Sequence, residues 1–168
     1  MQLKENNQFT AVVFGEVGQG KSTTLNSLVK LAEEKYFKGQ DHNCKFEGRK
    51  DLKSVTSYIK MGSIGNMTLI DTPGLNDPET GRSDKNINIE IIKTLSNQLN
   101  DRHQGISSLI LCVMPNASER ITDSAIKGMN NMLFTFNSLD ERTDIDSHPR
   151  VHIVFNNVSR FGENYDVE

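Results

Sequence analysis

The stretch FTAVVFGEVGQGKSTTLNSL, residues 9–28, leaves this chain few folds to choose from. Residues 9–14 are short, apolar and β-branched, and glycines follow at once, which predicts a buried strand ending in a sharp loop. From residue 21 to 34 the spacing turns helical, with Leu25, Leu28, Val29 and Ala32 on one face. A strand–glycine loop–helix unit of this kind belongs in a sheet whose strands are covered on both faces.

The rest of the chain repeats the alternation. Residues 35–55 are polar and irregular and predict a long loop. TSYIKMGS at 56–63 and NMTLI at 66–70 predict two short strands joined by a tight Gly-Asn turn. Residues 71–85, rich in Pro, Gly and Asp, predict a second loop. Ile87, Ile91, Ile92, Leu95 and Leu99 then form a helical stripe. ISSLILCVM at 106–114 is a nearly continuous apolar run, as expected of a doubly covered strand. Ala125, Ile126, Met129, Met132, Leu133 and Phe136 recur at helical spacing and predict core packing, and VHIVF at 151–155 predicts a further buried strand. Buried strands alternating with amphipathic helices predict an α/β fold, with a mostly parallel sheet between two helical layers.

A chain of 168 residues is long enough for one domain with a substantial core. Its composition, 35% hydrophobic and 24% charged with a net charge of −3, is globular, and the lack of a basic excess argues against nucleic acid as the main partner. Two cysteines, Cys44 in a polar stretch and Cys112 in an apolar run, offer neither a disulfide framework nor zinc spacing. The polar start MQLKENNQFT, the lack of a membrane-length apolar run and the end NYDVE without a prenylation box predict a soluble, cytoplasmic protein with no membrane segment.

Gly15-Glu16-Val17-Gly18-Gln19-Gly20-Lys21-Ser22 matches G-x-x-x-x-G-K-[ST], placed directly after a strand and at the opening of a helix. Glycines let successive backbone N–H groups turn into a concavity, and the helix start adds partial positive charge there. Residues Gly15 through Ser22, with Thr23 beside them, are therefore candidates for binding the phosphates of a nucleoside triphosphate. Lys21 has the reach for the β- and γ-phosphates, and Ser22 offers a hydroxyl to Mg²⁺. The competing interpretation is a glycine-rich turn that binds nothing.

Asp71-Thr72-Pro73-Gly74 ends the strand MTLI, fifty residues on from Lys21. A carboxylate there can hold Mg²⁺ through water, and Gly74 can bring its backbone N–H to the γ-phosphate with no Cβ in the way. This spacing favours a GTPase switch over a metabolic kinase. Thr56 either completes the Mg²⁺ shell and closes its loop over the γ-phosphate or simply begins a strand. The predicted metal set is thus Ser22, Thr56 and Asp71, and the groups acting on the terminal phosphate are Lys21, Thr56 and Gly74.

GEVGQGKSTTLNSL, SVT, LIDTPGLND and SERIT together resemble a G domain of the TRAFAC class of P-loop GTPases. More narrowly, they are similar to the AIG1-type, or immunity-associated, family, which is related to septins and Toc GTPases. Arg120-Ile121-Thr122 resembles the family's R-x-T segment. The resemblance covers the first two-thirds of the chain. It implies a three-layer P-loop NTPase fold, with a mostly parallel sheet and one antiparallel edge strand. It also implies GTP or GDP with Mg²⁺ as cofactors, and a nucleotide-dependent homodimer.

The C-terminal part departs from that pattern. Guanine selectivity in such folds resembles an N/T-K-x-D element after strand five, where this chain reads Asn156-Asn157-Val158-Ser159. Asn156 fits the first position and Asn157 stands at the second, so both are candidate base-side residues. Ser159 replaces the carboxylate, and a hydroxyl is no bidentate acceptor, which should weaken discrimination against adenine. Glu163 and Asp166 are carboxylates on the same segment. The chain to Glu168 has no room for the last strand and helix of a G domain. The expectation is a single AIG1-like G domain over residues 1–168, incomplete at its C-terminus. Its strand-five edge would be open unless a homodimer or protein partner covers it. Leu75 stands where many signalling GTPases carry the glutamine that orients water, so slow turnover is expected, and Val17 would crowd an arginine finger. His42 is either a water-positioning group supplied in a dimer or an exposed loop residue. His103, His148 and His152 show no metal spacing. A scaffolding G domain that hydrolyses little, and an ATP-preferring P-loop protein, are the alternatives to a slow GTP switch.

Overall fold

The computed structural model describes residues 8–46, 58–75, 106–113 and 150–156, with helical residues at 86, 89–91, 93, 94, 96, 97, 123, 126, 127, 130 and 131. Five strands and one long helix are bounded within them: β1 (Phe9–Phe14), α1 (Lys21–Lys35), β2 (Lys60–Ile64), β3 (Met67–Asp71), β4 (Ser108–Val113) and β5 (Arg150–Phe155). The strands form one sheet in the order β2-β3-β1-β4-β5. β1 runs parallel to both β3 and β4, and β4 parallel to β5, while β2 and β3 form the antiparallel hairpin expected around Gly65-Asn66. This is the predicted α/β sheet with one antiparallel edge.

Two apolar clusters line its faces, and strand alternation sorts the residues between them. Ala11 and Val13 of β1, Leu69 of β3, and Ile110 and Cys112 of β4 meet Leu25, Val29 and Ala32 of α1. Val12 and Phe14, Ile70, and Leu109, Leu111 and Val113 point the other way, where they pack with Ile91 from the helical residues near 90. Helical cover on each side of the sheet makes three layers. Burying each of the valine, leucine, isoleucine and phenylalanine side chains among them is worth about 2 kcal/mol relative to exposure.

The same alternation positions the site. Leu69 and Asp71 share the α1 face of β3, so Asp71 emerges at the end of the strand under the start of α1. The buried stripe of α1 is Lys21, Leu25, Val29 and Ala32, so its first member is an ammonium rather than an apolar group.

Three sequence expectations need correction. β5 is exposed along most of its length, not buried. Val151, Ile153 and Phe155 stand opposite Leu109, Leu111 and Val113 on one face, yet remain 43%, 47% and 49% exposed. β5 is the last strand of the sheet and pairs only with β4, so half of its surroundings are missing among the described residues. Ile126 is helical but 41% exposed and adds nothing to the described core. Cys44, expected in a polar loop, is buried with Phe46 beneath the hairpin. A Cβ on Gly62 would come within 2.9 Å of the Cys44 sulfur.

Candidate functional site

The loop between β1 and α1 has the form of a phosphate cradle. Gly20 takes the N-cap position in the left-handed region at φ 79°, and no side chain caps the helix. A Cβ there would also lie 2.8 Å from the Asn156 side-chain nitrogen, so both conformation and space demand glycine. The first intrahelical bond, Thr24 N–H to Gly20 O, is 2.8 Å. The earlier N–H groups of α1 have no intrahelical acceptor, and no acidic residue stands in the first turn to compete for them. An uncapped helix start of this kind favours an anion.

Lys21 is nearly buried, and its ammonium lies back over the loop. It donates to the carbonyls of Gly15 at 3.2 Å and Glu16 at 3.0 Å. Ser22 donates its hydroxyl to Asp71 Oδ2 at 2.6 Å, a short charge-assisted bond that joins the helix start to the end of β3. A hydroxyl and a carboxylate side by side are hard oxygen donors suited to Mg²⁺, which takes few protein ligands and keeps water and phosphate oxygens around it. Among the described residues no cluster of three or more His, Cys, Asp and Glu side chains forms a metal cage. Thr23 is exposed on the outer side of the first turn.

Gly74 sits directly on the loop. A Cβ at this position would meet Val17 at 2.5 Å from Cγ2 and 2.8 Å from Cα, so the D-T-P-G segment can approach only as glycine. Thr72 is fully buried and donates to the Val13 carbonyl at 2.8 Å, fastening the same segment to β1. Leu75 is buried in the core, so no polar side chain reaches the loop from that position.

Asn156 arrives from the far edge of the sheet. Its backbone N–H bonds Val113 O at 2.8 Å, and its side-chain nitrogen donates to the Gln19 carbonyl at 2.6 Å. Thr24 Oγ1 lies 3.3 Å from that nitrogen and 3.4 Å from the amide oxygen. The Cys112 thiol donates to Thr24 from beneath at 3.4 Å. Burial pushes the Cys112 thiol up from its ordinary range, opposed by the Thr24 bond, the Lys21 charge and the Asn156 bond, so it stays protonated as a donor. The expected base-side residue therefore supports the phosphate loop from behind.

Of the predicted site residues, Gly15 to Ser22, Asp71, Gly74 and Asn156 come together at this loop, whereas Thr23 faces outward. Thr56 and Asn157 lie outside the described residues, as do Ser159, Glu163 and Asp166. His42 accepts the Cys44 N–H at 3.3 Å, and its other ring nitrogen is 3.8 Å from Glu33 of α1. Glu33 is roughly 18 Å along the helix from Lys21 at 1.5 Å per residue, so within its own chain His42 is remote from the loop between β1 and α1. Two groups not foreseen are Thr24 and Asn26. The Asn26 amide donates to Phe46 O at 2.6 Å and accepts from Phe46 N–H at 3.1 Å, pinning the loop after α1 to that helix.

Sheet order, glycine loop, lysine and strand-end aspartate define a P-loop domain of the G-domain type. The model of the AIG1 family matches residues 9–138, most of the chain, and the chain belongs to that family. It is also similar to neuronal-specific septin-3 of Danio rerio, 29% identical over 104 residues that make up 58% of this chain and 29% of the relative. The septin-3 of Mus musculus is 28% identical over 104 residues, 58% of this chain and 30% of the relative. The chain thus spans less than a third of these curated relatives. Among solved structures, a probable GTP-binding protein engB shares 16% identity at a TM-score of 0.41, covering 87% of this chain and 66% of that one. Toc33 from Arabidopsis thaliana, in complex with Mg²⁺ and GMPPNP, shares 20% at 0.42, covering 89% and 71%.

Proposed function

We propose that this chain is a guanine-nucleotide-binding G domain that works as a slow switch. One domain over residues 1–168 would respond to nucleotide and Mg²⁺ through the loops after α1 and β3. The observation that carries this is the loop itself, where an uncapped helix start, the Lys21 ammonium and the 2.6 Å Ser22–Asp71 pair face one cradle. Membership of the AIG1 family supports guanine as the base. Ser22 and Asp71 would hold Mg²⁺, with Thr56 as the third proposed ligand; the ion's contribution is to neutralise charge on the β- and γ-phosphates.

The chain's own residues perform positioning. Lys21 places a charge over the phosphates, and Asn156 holds the Gln19 carbonyl so that the loop amides keep their direction. Asn156 and Asn157 would also stand on the base side of the nucleotide. Slow turnover is supported by Leu75, whose buried aliphatic side chain cannot orient a water. A nucleotide-dependent homodimer in the cytoplasm fits the family; no helix among the described residues is long and apolar enough to cross a membrane.

A scaffolding role is the second reading. It is favoured by the way Lys21 already bonds the carbonyls of its own loop. Competition titration separates the two, with labelled GTP displaced by GDP or by ATP in the presence of Mg²⁺. GTP binding displaced by GDP and poorly by ATP is expected. Equal displacement by ATP would refute guanine selectivity, and no binding of any nucleotide would leave the scaffold.

A further inference from the structure

Two hydroxyls on the first two turns of α1 find different partners. Ser27 donates back to the Thr23 carbonyl at 3.1 Å, the ordinary course for a serine inside a helix. Thr24 reaches off the helix instead, to the ends of two strands. Its oxygen accepts from the Cys112 thiol of β4 at 3.4 Å. It also lies 3.4 Å from the Asn156 amide oxygen and 3.3 Å from the amide nitrogen, just beyond β5. With the thiol donating from beneath, the Thr24 proton points at the Asn156 oxygen. That leaves the Asn156 nitrogen facing the Gln19 carbonyl, where it makes the 2.6 Å bond.

The consequence falls on the loop. A planar trans peptide sets each N–H opposite to the carbonyl of the residue before it. Thr24 governs two such units in succession. Its backbone N–H holds the Gly20 carbonyl at 2.8 Å, which turns the Lys21 N–H out from the helix start. Its hydroxyl acts through Asn156 on the Gln19 carbonyl, which turns the Gly20 N–H away from Asn156. No acceptor among the described residues meets that Gly20 N–H. The Asn156 amide is also wedged in place, since a Cβ on Gly20 would lie 2.8 Å from its nitrogen.

We propose that Thr24 is a positioning residue for the phosphate loop, its hydroxyl orienting Asn156 so that the Gly20 amide is aimed at a bound phosphate. This rests on the nucleotide-binding reading above. Thr24 itself touches no phosphate in this scheme. Its two long bonds add little to the stability of the fold, but they fix the direction of a donor that the ligand uses. Losing that direction costs about one hydrogen bond to the ligand, roughly fivefold in affinity.

Thr24→Val keeps the shape and removes the hydroxyl, whereas Thr24→Ser keeps the hydroxyl. Calorimetry with GDP and Mg²⁺, together with amide exchange on the GDP-bound proteins, tests the proposal. Thr24→Val should bind GDP about fivefold more weakly, and its Gly20 amide should exchange faster by a similar factor. Amides of β1 and β4 should keep the wild-type rate, which a merely structural role would not allow. Thr24→Ser should restore both values to within about twofold of wild type. In an Asn156→Ala background, Thr24→Val should have no further effect, because the group it acts through is gone. The proposal is overturned by wild-type affinity and Gly20 exchange in Thr24→Val, by failure of Thr24→Ser to rescue, by equal acceleration in the core strands, or by a full effect without Asn156. Wild-type protein that does not bind GDP overturns the nucleotide reading itself, an outcome distinct from binding that ignores Thr24.

Discussion

Removing the Asn156 side chain tests how the phosphate loop is held. Of its contacts with Gln19 and Thr24 only one is short, the 2.6 Å bond to the Gln19 carbonyl; the two with Thr24, at 3.3 and 3.4 Å, lie at the long end of the useful range. Truncation to Ala therefore deletes one good bond and leaves a part-buried carbonyl to find another donor. A net bond of about 1 kcal/mol together with an orphaned acceptor gives roughly 2 kcal/mol, about 30-fold in the folding equilibrium. For a chain of this length that shifts the midpoint of thermal unfolding by about 4–8 °C. Urea unfolding followed by circular dichroism checks the value, with an unchanged m as the condition for comparing stabilities. Asn156→Asp keeps the size but sets one acceptor against another, so at neutral pH it should lose at least as much. A loss below ~0.5 kcal/mol in Asn156→Ala, or a near-normal Asn156→Asp, would refute the bond to Gln19 as the reason for this residue.

Asn26→Ala should free the loop after α1, accelerating exchange of the Phe46 amide about tenfold at a stability cost near 1 kcal/mol. Leu75→Gln should not accelerate hydrolysis, because the side chain at this position points into the core; a cost of about 2 kcal/mol and turnover still well below ~10 per second are expected, measured by unfolding and phosphate release. Burial raises both the Cys44 and Cys112 thiols above the ordinary value of 9.0, so the unfolded chain releases those protons first as pH rises. Stability should accordingly be unaffected by the thiols below that pH and fall above it, with neither thiol reacting with a disulfide reagent at pH 8 until the protein unfolds.

Much of the sheet was legible because its signals are local. β1, α1 and the hairpin follow from apolar period and a Gly-Asn turn, and β4 from an unbroken apolar run. The loop motif and Asp71 were equally plain, since glycines, lysine and a strand-end carboxylate mark them at short range. What escaped depends on pairs far apart in the chain. An apolar run such as VHIVF reads the same whether or not its faces are covered, so the exposure of β5 was not visible. The meeting of Asn156 with Gln19 spans 137 residues and has no local trace. Cys44 and Phe46 did leave a clue, an apolar pair two residues apart that period-two spacing would have marked as buried. Leu75 stands out in the sequence for lacking a polar group, whereas its backbone bridge to the loop depends on β1 and β3 lying side by side.

The proposed role of the cradle between β1 and α1 is to hold nucleotide phosphates through Lys21. Calorimetric titration of GDP with Mg²⁺ into the wild-type protein and into folded Lys21→Ala measures this directly. One site per chain is expected, weakened at least about tenfold in the variant by loss of the charge-assisted contacts. Equal affinity in the two proteins, or no heat of binding to the wild type at millimolar GDP, would contradict it.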